Sequence, residues 1–142
     1  METESSNEKV KSPRLMVCGG GTGGHLFPGI SIADEWMARF PEGEVFFGGS
    51  PRGLEKIIVP RAGYPLFLVE TGSLLDRGKL GKLLTLLRMP FAVLKSVFKI
   101  LGLKPSVLLG LGGYASAPWI LAGILLRKPV VFFEPNAMPG FV

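Results

Sequence analysis

The stretch Cys18-Gly19-Gly20-Gly21-Thr22-Gly23-Gly24-His25-Leu26-Phe27-Pro28 constrains the fold more than any other part of the chain. It follows a short apolar run, Leu15-Met16-Val17, and precedes an amphipathic run over residues 30–40. The order is therefore strand, glycine loop, helix. The spacing Gly19-x-Gly21-x-x-Gly24 fits the phosphate-binding fingerprint of nucleotide-type α/β folds. Glycines reach positive φ without steric cost and let an anion approach the backbone. The unpaired N–H groups and the dipole of the following helix point at that anion. Pro28 suits a first helical turn, where its missing N–H is not needed. Thr22 and the only histidine of the chain, His25, lie inside this expected anion site.

The 142 residues make one ordinary domain, and 47% hydrophobic residues suffice for a core. The single cysteine, Cys18, excludes an internal disulfide framework and a cysteine-based zinc site, and its place in the first strand reads as a small buried hydrophobe. No clustered His/Cys/Asp set suggests a protein-bound metal. Residues 1–12 read as a disordered polar tail, and residues 13–142 as the folded domain. The tail has no apolar h-region, which argues against a signal peptide and for the cytoplasm.

The net charge is +5, and its distribution is one-sided. No acid occurs between Asp76 and Glu134, an interval that holds Arg77, Lys79, Lys82, Arg88, Lys95, Lys99, Lys104, Arg127 and Lys128. Such a face suits an anionic partner: a phosphorylated substrate, anionic lipid or nucleic acid. Aromatics do not interleave with the cations as on a base-stacking surface, so nucleic acid ranks last.

In order, strands are expected over residues 14–18, 44–47, 66–69, 106–109 and 129–133. Helices are expected over 28–40, 52–59 (ended by Pro60) and 118–126. Residues 79–101 are strongly apolar and basic, and Pro90 should kink or split them. Loops follow over 70–76, 110–117 and 134–140. Alternating strands and helices imply an α/β fold, a Rossmann-like parallel sheet with helices on both faces. Residues 105–126 carry no charge and could span a bilayer by length. Gly110, Gly112, Gly113 and Pro118 would leave backbone groups unpaired in hydrocarbon, so strand, turn and buried helix is the better reading.

Gly110-x-Gly112-x-x-Ala115 repeats the pattern of the first loop after another apolar strand. Both loops open at the carboxyl ends of parallel strands, where such sheets bind ligands, and together they can hold a diphosphate or two phosphorylated ligands. A tight turn explains either loop alone. A dinucleotide site of the NAD type usually has Asp or Glu at the end of strand 2; here Gly48-Gly49-Ser50-Pro51-Arg52 stands there. Arg52 leaves a 2′-phosphate, and so an NADP-dependent oxidoreductase, as one alternative. A non-catalytic nucleotide- or phospholipid-binding module is another.

Three stretches carry a more specific resemblance. Residues 20–28, residues 110–118 (Gly-Leu-Gly-Gly-Tyr-Ala-Ser-Ala-Pro) and residues 134–140 (Glu-Pro-Asn-Ala-Met-Pro-Gly) resemble, in order and separation, the loops of family 28 glycosyltransferases of the MurG type. The family's usual His before the Glu is Phe133 here, and its usual Gln is Pro135, so roles at those two positions do not carry over. The resemblance implies the N-terminal, acceptor-side domain of a two-domain GT-B enzyme, incomplete at its end. The C-terminal domain that makes most donor contacts would be absent, and this stretch alone would have little activity. The implied reaction is inverting transfer of N-acetylglucosamine from UDP-GlcNAc to polyprenyl-diphosphate-linked MurNAc-pentapeptide, at the cytoplasmic face of the bacterial plasma membrane. No cofactor beyond the donor substrate is implied.

The resemblance also assigns roles. His25 is a suitable base near neutral pH, or else caps the loop or binds phosphate. By its place rather than by the resemblance, Glu134, the only acid after Asp76 and expected at the mouth of strand 5, is a candidate to orient a substrate hydroxyl or to be the base itself, or else is a solvated loop carboxylate. Asn136 would touch the donor sugar, and Thr22, Gly23 and Gly24 would approach the donor. Gly112, Gly113, Tyr114 and Ser116 would cradle the acceptor diphosphate, although Tyr114 can equally pack over its loop. The many leucines of residues 79–101, bordered by lysines, suit an interfacial helix pair on anionic lipid; core helices with solvated lysines are the alternative.

Overall fold

The computed structural model describes residues 12–71 and 78–134. All but the last residue of the expected tail, most of the loop after strand 3, and everything after Glu134, Asn136 and Pro135 included, lie outside them. Five parallel strands form one sheet: β1 (Arg14–Cys18), β2 (Glu44–Gly49), β3 (Leu66–Leu68), β4 (Val107–Gly110) and β5 (Val130–Phe132), in the order β3-β2-β1-β4-β5. Chain order reverses at β1, which pairs Met16 with Phe46 on one side and with Leu108 on the other.

Side-chain alternation along the strands builds two cores. Leu15, Val17 and Leu109 face α1 (Gly23–Arg39) and α2 (Glu55–Arg61). Met16, Cys18 and Leu108 face α3 (Gly78–Leu103) and α4 (Ala117–Leu125). Both faces of the sheet are covered, which explains why β1 and β4 read as continuous apolar runs. Burial pushes the Cys18 thiol far up, and the residue is an inert core group. Trp119 is fully buried; its indole lies over Gly48, where a Cβ would come within 2.7 Å of the ring, and its Nε1 donates to the Gly49 carbonyl at 3.3 Å.

Three helix boundaries differ from the sequence reading. Helix α1 begins at Gly23, not at Pro28, with Thr22 as N-cap, and Pro28 falls in its second turn. Proline there removes the bond to the Gly24 carbonyl, but Gly24 is exposed and its carbonyl reaches water. Phe40, the last residue of the expected helix, caps it and stays exposed. Helix α2 runs through Pro60 to Arg61. Pro90 does not split α3, which is one helix of 26 residues, about 39 Å long at 1.5 Å per residue.

Helix α3 is inverted relative to a common surface helix. Its buried side chains are Thr85, Ala92, Ser96 and Ile100, and the Ser96 hydroxyl donates to the Ala92 carbonyl. Leu80, Leu83, Leu86, Leu87, Phe91, Leu94 and Phe98 are exposed, Leu86 and Phe91 each by 68%. Small residues let α3 lie close to α4, whose Leu121, Ile124 and Leu125 extend the same outward apolar face. A groove of about 530 Å³ runs between the two helices. Among the described residues, no helix is long and apolar enough to cross a membrane; the charge-free stretch 105–126 divides into β4, a loop and α4.

Candidate functional site

The reversal of strand order leaves a crevice at the carboxyl ends of β1 and β4, where sheets of this kind bind ligands. It holds a cleft of about 350 Å³ whose walls include Gly20, Gly21, Thr22, His25, Ser50, Arg52, Gly113 and Tyr114. Residues from both glycine loops, set far apart in the sequence, share it.

In the first loop Gly19, Gly20 and Gly21 take φ of 144, 154 and 90°, and the chain then enters α1 at Thr22. Gly23, Gly24 and His25 belong to the first helical turn, and the carbonyl of Thr22 accepts the N–H groups of His25 and Leu26. The amides of Gly23 and Gly24 precede the first intrahelical donor and have no intrahelical acceptor, as at any helix start. The Thr22 hydroxyl lies 2.8 Å from Nδ1 of His25. The other edge of the ring faces the second loop: a Cβ on Gly112 would sit 3.8 Å from both Cδ2 and Nε2 of His25. The imidazole thus bridges the two loops.

The tautomer decides what this bridge can do. If Nδ1–H donates to Thr22, Nε2 keeps a lone pair and can accept a proton. If the Thr22 hydroxyl donates to Nδ1, Nε2–H is a donor suited to phosphate.

The first loop is not the open cradle expected from its spacing. Glu55, fully buried, occupies its floor, and its Oε2 accepts the Gly21 N–H at 2.9 Å. That amide is committed within the protein. Gly19 N–H is likewise used, bonding the Gly48 carbonyl at 2.9 Å. Two amides of the glycine run are thus committed within the protein, whereas those of Gly23 and Gly24 at the helix start have no intrahelical acceptor.

In the second loop Gly112 and Gly113 adopt φ of 89 and 76°, the left-handed region that favours glycine. Tyr114 is 54% exposed and projects into the cleft wall. Ser116 is buried, and its hydroxyl donates to the Gly113 carbonyl at 2.8 Å, closing the loop on itself. Glu134 is exposed just beyond β5, next to the second loop's strand. Arg52, considered for a 2′-phosphate, donates from Nε to Glu70 at 3.0 Å. Among the described residues, no group of three or more His, Cys, Asp or Glu side chains is placed to hold a metal. Glu55 escaped the sequence reading; its one signal was an acid among Gly48, Gly49 and Gly53, which also reads as an ordinary first-turn carboxylate.

A doubly wound parallel sheet with a two-loop crevice at its switch point defines a Rossmann-type ligand-binding domain. The chain belongs to the glycosyltransferase family 28 N-terminal domain family, whose description matches residues 15–142. It is 46% identical over 128 residues to the UDP-N-acetylglucosamine–N-acetylmuramyl-(pentapeptide) pyrophosphoryl-undecaprenol N-acetylglucosamine transferase of Anaeromyxobacter sp. strain Fw109-5, covering 90% of this chain and 34% of the relative. The corresponding transferase of Myxococcus xanthus is 46% identical over 129 residues, with 90% and 33% covered. The chain therefore spans about a third of the length of these relatives. The crystal structure of Acinetobacter baumannii MurG superposes with a TM-score of 0.76 at 26% identity, over 91% of this chain and 37% of that one. The spinosyn rhamnosyltransferase SpnG, at 19% identity and a TM-score of 0.52, shares the fold alone.

Proposed function

We propose that this domain is the acceptor-side half of an inverting transferase that moves N-acetylglucosamine from UDP-GlcNAc to a polyprenyl-diphosphate-linked MurNAc-pentapeptide. The observation that carries the reading is His25, held by Thr22 and aimed across the crevice at the second glycine loop, in a chain 46% identical to transferases of that name. The acceptor hydroxyl attacks the anomeric carbon, the bond to UDP breaks, and the hydroxyl proton passes to a base. Nε2 of His25 is that base in the tautomer in which Nδ1–H donates to Thr22. The amides of Gly23 and Gly24 and the Thr22 hydroxyl meet the donor across the cleft. Gly112, Gly113 and Tyr114 line the acceptor diphosphate, with Ser116 holding their loop in shape. Glu134 orients the acceptor hydroxyl, and Asn136 meets the donor sugar.

A C-terminal domain supplies the remaining donor contacts. No cofactor enters the chemistry. The outward apolar face of α3 and α4, bordered by Lys79, Lys82, Arg88, Lys95 and Lys99, rests on anionic lipid. It holds the enzyme peripherally at the cytoplasmic face of the plasma membrane, where a lipid-linked acceptor is presented.

His25→Ala in the full-length enzyme is expected to lower kcat by about 10²–10⁴-fold, the usual contribution of a general base. A kcat near that of the parent enzyme would remove His25 from proton transfer.

A further inference from the structure

Resting on that functional reading, we infer that Glu55 is a positioning residue: its buried carboxylate sets the height and angle of the Gly21–Thr22 corner and thereby aims His25. Glu55 is 0% exposed, and both of its oxygens are engaged. Oε2 accepts the Gly21 N–H at 2.9 Å; Oε1 accepts the Ser50 N–H at 2.8 Å and the Ser50 hydroxyl at 3.3 Å. One side chain therefore ties the exit of β1 to the exit of β2.

The surrounding backbone is shaped to this carboxyl group. A Cβ on Gly20 would lie 2.5 Å from it and a Cβ on Gly49 2.7 Å from the Glu55 side chain, while one on Gly53 would collide with Oε2. Three glycines thus make room for a single acid. The chain of contacts then runs outward. Gly21 fixes the start of Thr22, the Thr22 carbonyl receives the His25 and Leu26 amides, and the Thr22 side chain holds Nδ1 of His25. A carboxylate serves here because three donors converge from two loops, and only an acceptor with two oxygens receives them all. Its role is to orient a group that reacts; it does not itself reach the cleft.

Glu55→Gln is close in shape but turns an NH₂ donor toward one of these donors. In the full-length enzyme it is expected to lower kcat by about 10–100-fold, the scale of a small misplacement of a catalytic group, with KM for donor and acceptor within about threefold. Glu55→Asp, which keeps both acceptor oxygens, should recover part of the loss. Amide exchange supplies a readout independent of turnover: the Gly21 amide should exchange at least about tenfold faster in Glu55→Gln, while Met16 in the central strand stays protected. A folded Glu55→Gln enzyme with kcat within twofold of the parent, or with Gly21 exchange unchanged, overturns the inference. If Glu55→Gln fails to fold, Gly20→Ala, which presses a methyl group on the same carboxyl, decides it by the same kcat-to-KM split. If the parent enzyme transfers no sugar, the functional reading fails, and the exchange experiment alone decides whether Glu55 sets the loop.

Discussion

The two faces of the sheet use the same apolar residue types in opposite ways. On the α1 and α2 side, Leu26, Ala33 and Val59 point inward, and Asp34, Glu35 and Lys56 point to solvent. On the α3 and α4 side, Ile100, Trp119 and Ile120 are the large residues that point inward, alanine, serine and glycine fill much of the rest, and most of the leucines and phenylalanines point out. The first face stabilises the fold. The second gives up part of that burial and leaves its leucines and phenylalanines exposed. Hydrophobicity alone does not locate a core; the residues that lie against the neighbouring helix do.

The comparison can be broken in several ways. The largest effect is expected from replacing Leu86 and Phe91 together by Glu. Each buried side chain of this size is worth about 1.5–3 kcal/mol, so partition onto anionic vesicles should fall by at least about 100-fold, read by flotation, while the circular dichroism spectrum stays unchanged. Unaltered vesicle binding would return α3 to the role of a core helix. Next, Leu26→Ala should cost about 2–5 kcal/mol in urea unfolding, whereas Leu86→Ala should stay within about 0.5 kcal/mol; equal losses would erase the distinction between the faces.

The smallest effect concerns Tyr64, which donates to Asp34 at 2.5 Å and whose phenol is pushed up to about 12, by burial first and by Asp34 second. A raised phenol binds its proton more tightly in the folded state. Its stabilisation is therefore complete below pH 10 and is lost as pH rises from about 10 to 12. Tyr64→Phe should flatten that part of the alkaline unfolding curve relative to the parent chain.

Much of the architecture was legible in the residues. Strands β1 and β4 are short apolar runs closed by glycine, and a sheet covered on both faces asks for that pattern. The start of α1 was not legible, because Gly23 and Gly24 are poor helix formers and Pro28 offered a conventional first-turn signal; the burial of Leu26, with the His25 and Leu26 amides bonded to the Thr22 carbonyl, places it earlier. Pro90 does not break α3 because it lies on the exposed side, where the carbonyl it leaves unbonded meets water. At the site, the two loops and His25 were legible from spacing. The engagement of Gly21 by Glu55 was not, since nothing local distinguishes a carboxyl that folds back beneath a loop from one that points to solvent.

The seating of Trp119 over Gly48 has a consequence for descent as well as for packing. A methyl group at position 48 would meet the indole, and a smaller ring at position 119 would leave a hollow under α4 and take from the Gly49 carbonyl the second of its two donors, Val69 N–H being the other. Neither position can drift alone. Among natural variants of this domain the two should be inherited as a pair, a bare backbone at one always travelling with a broad aromatic at the other.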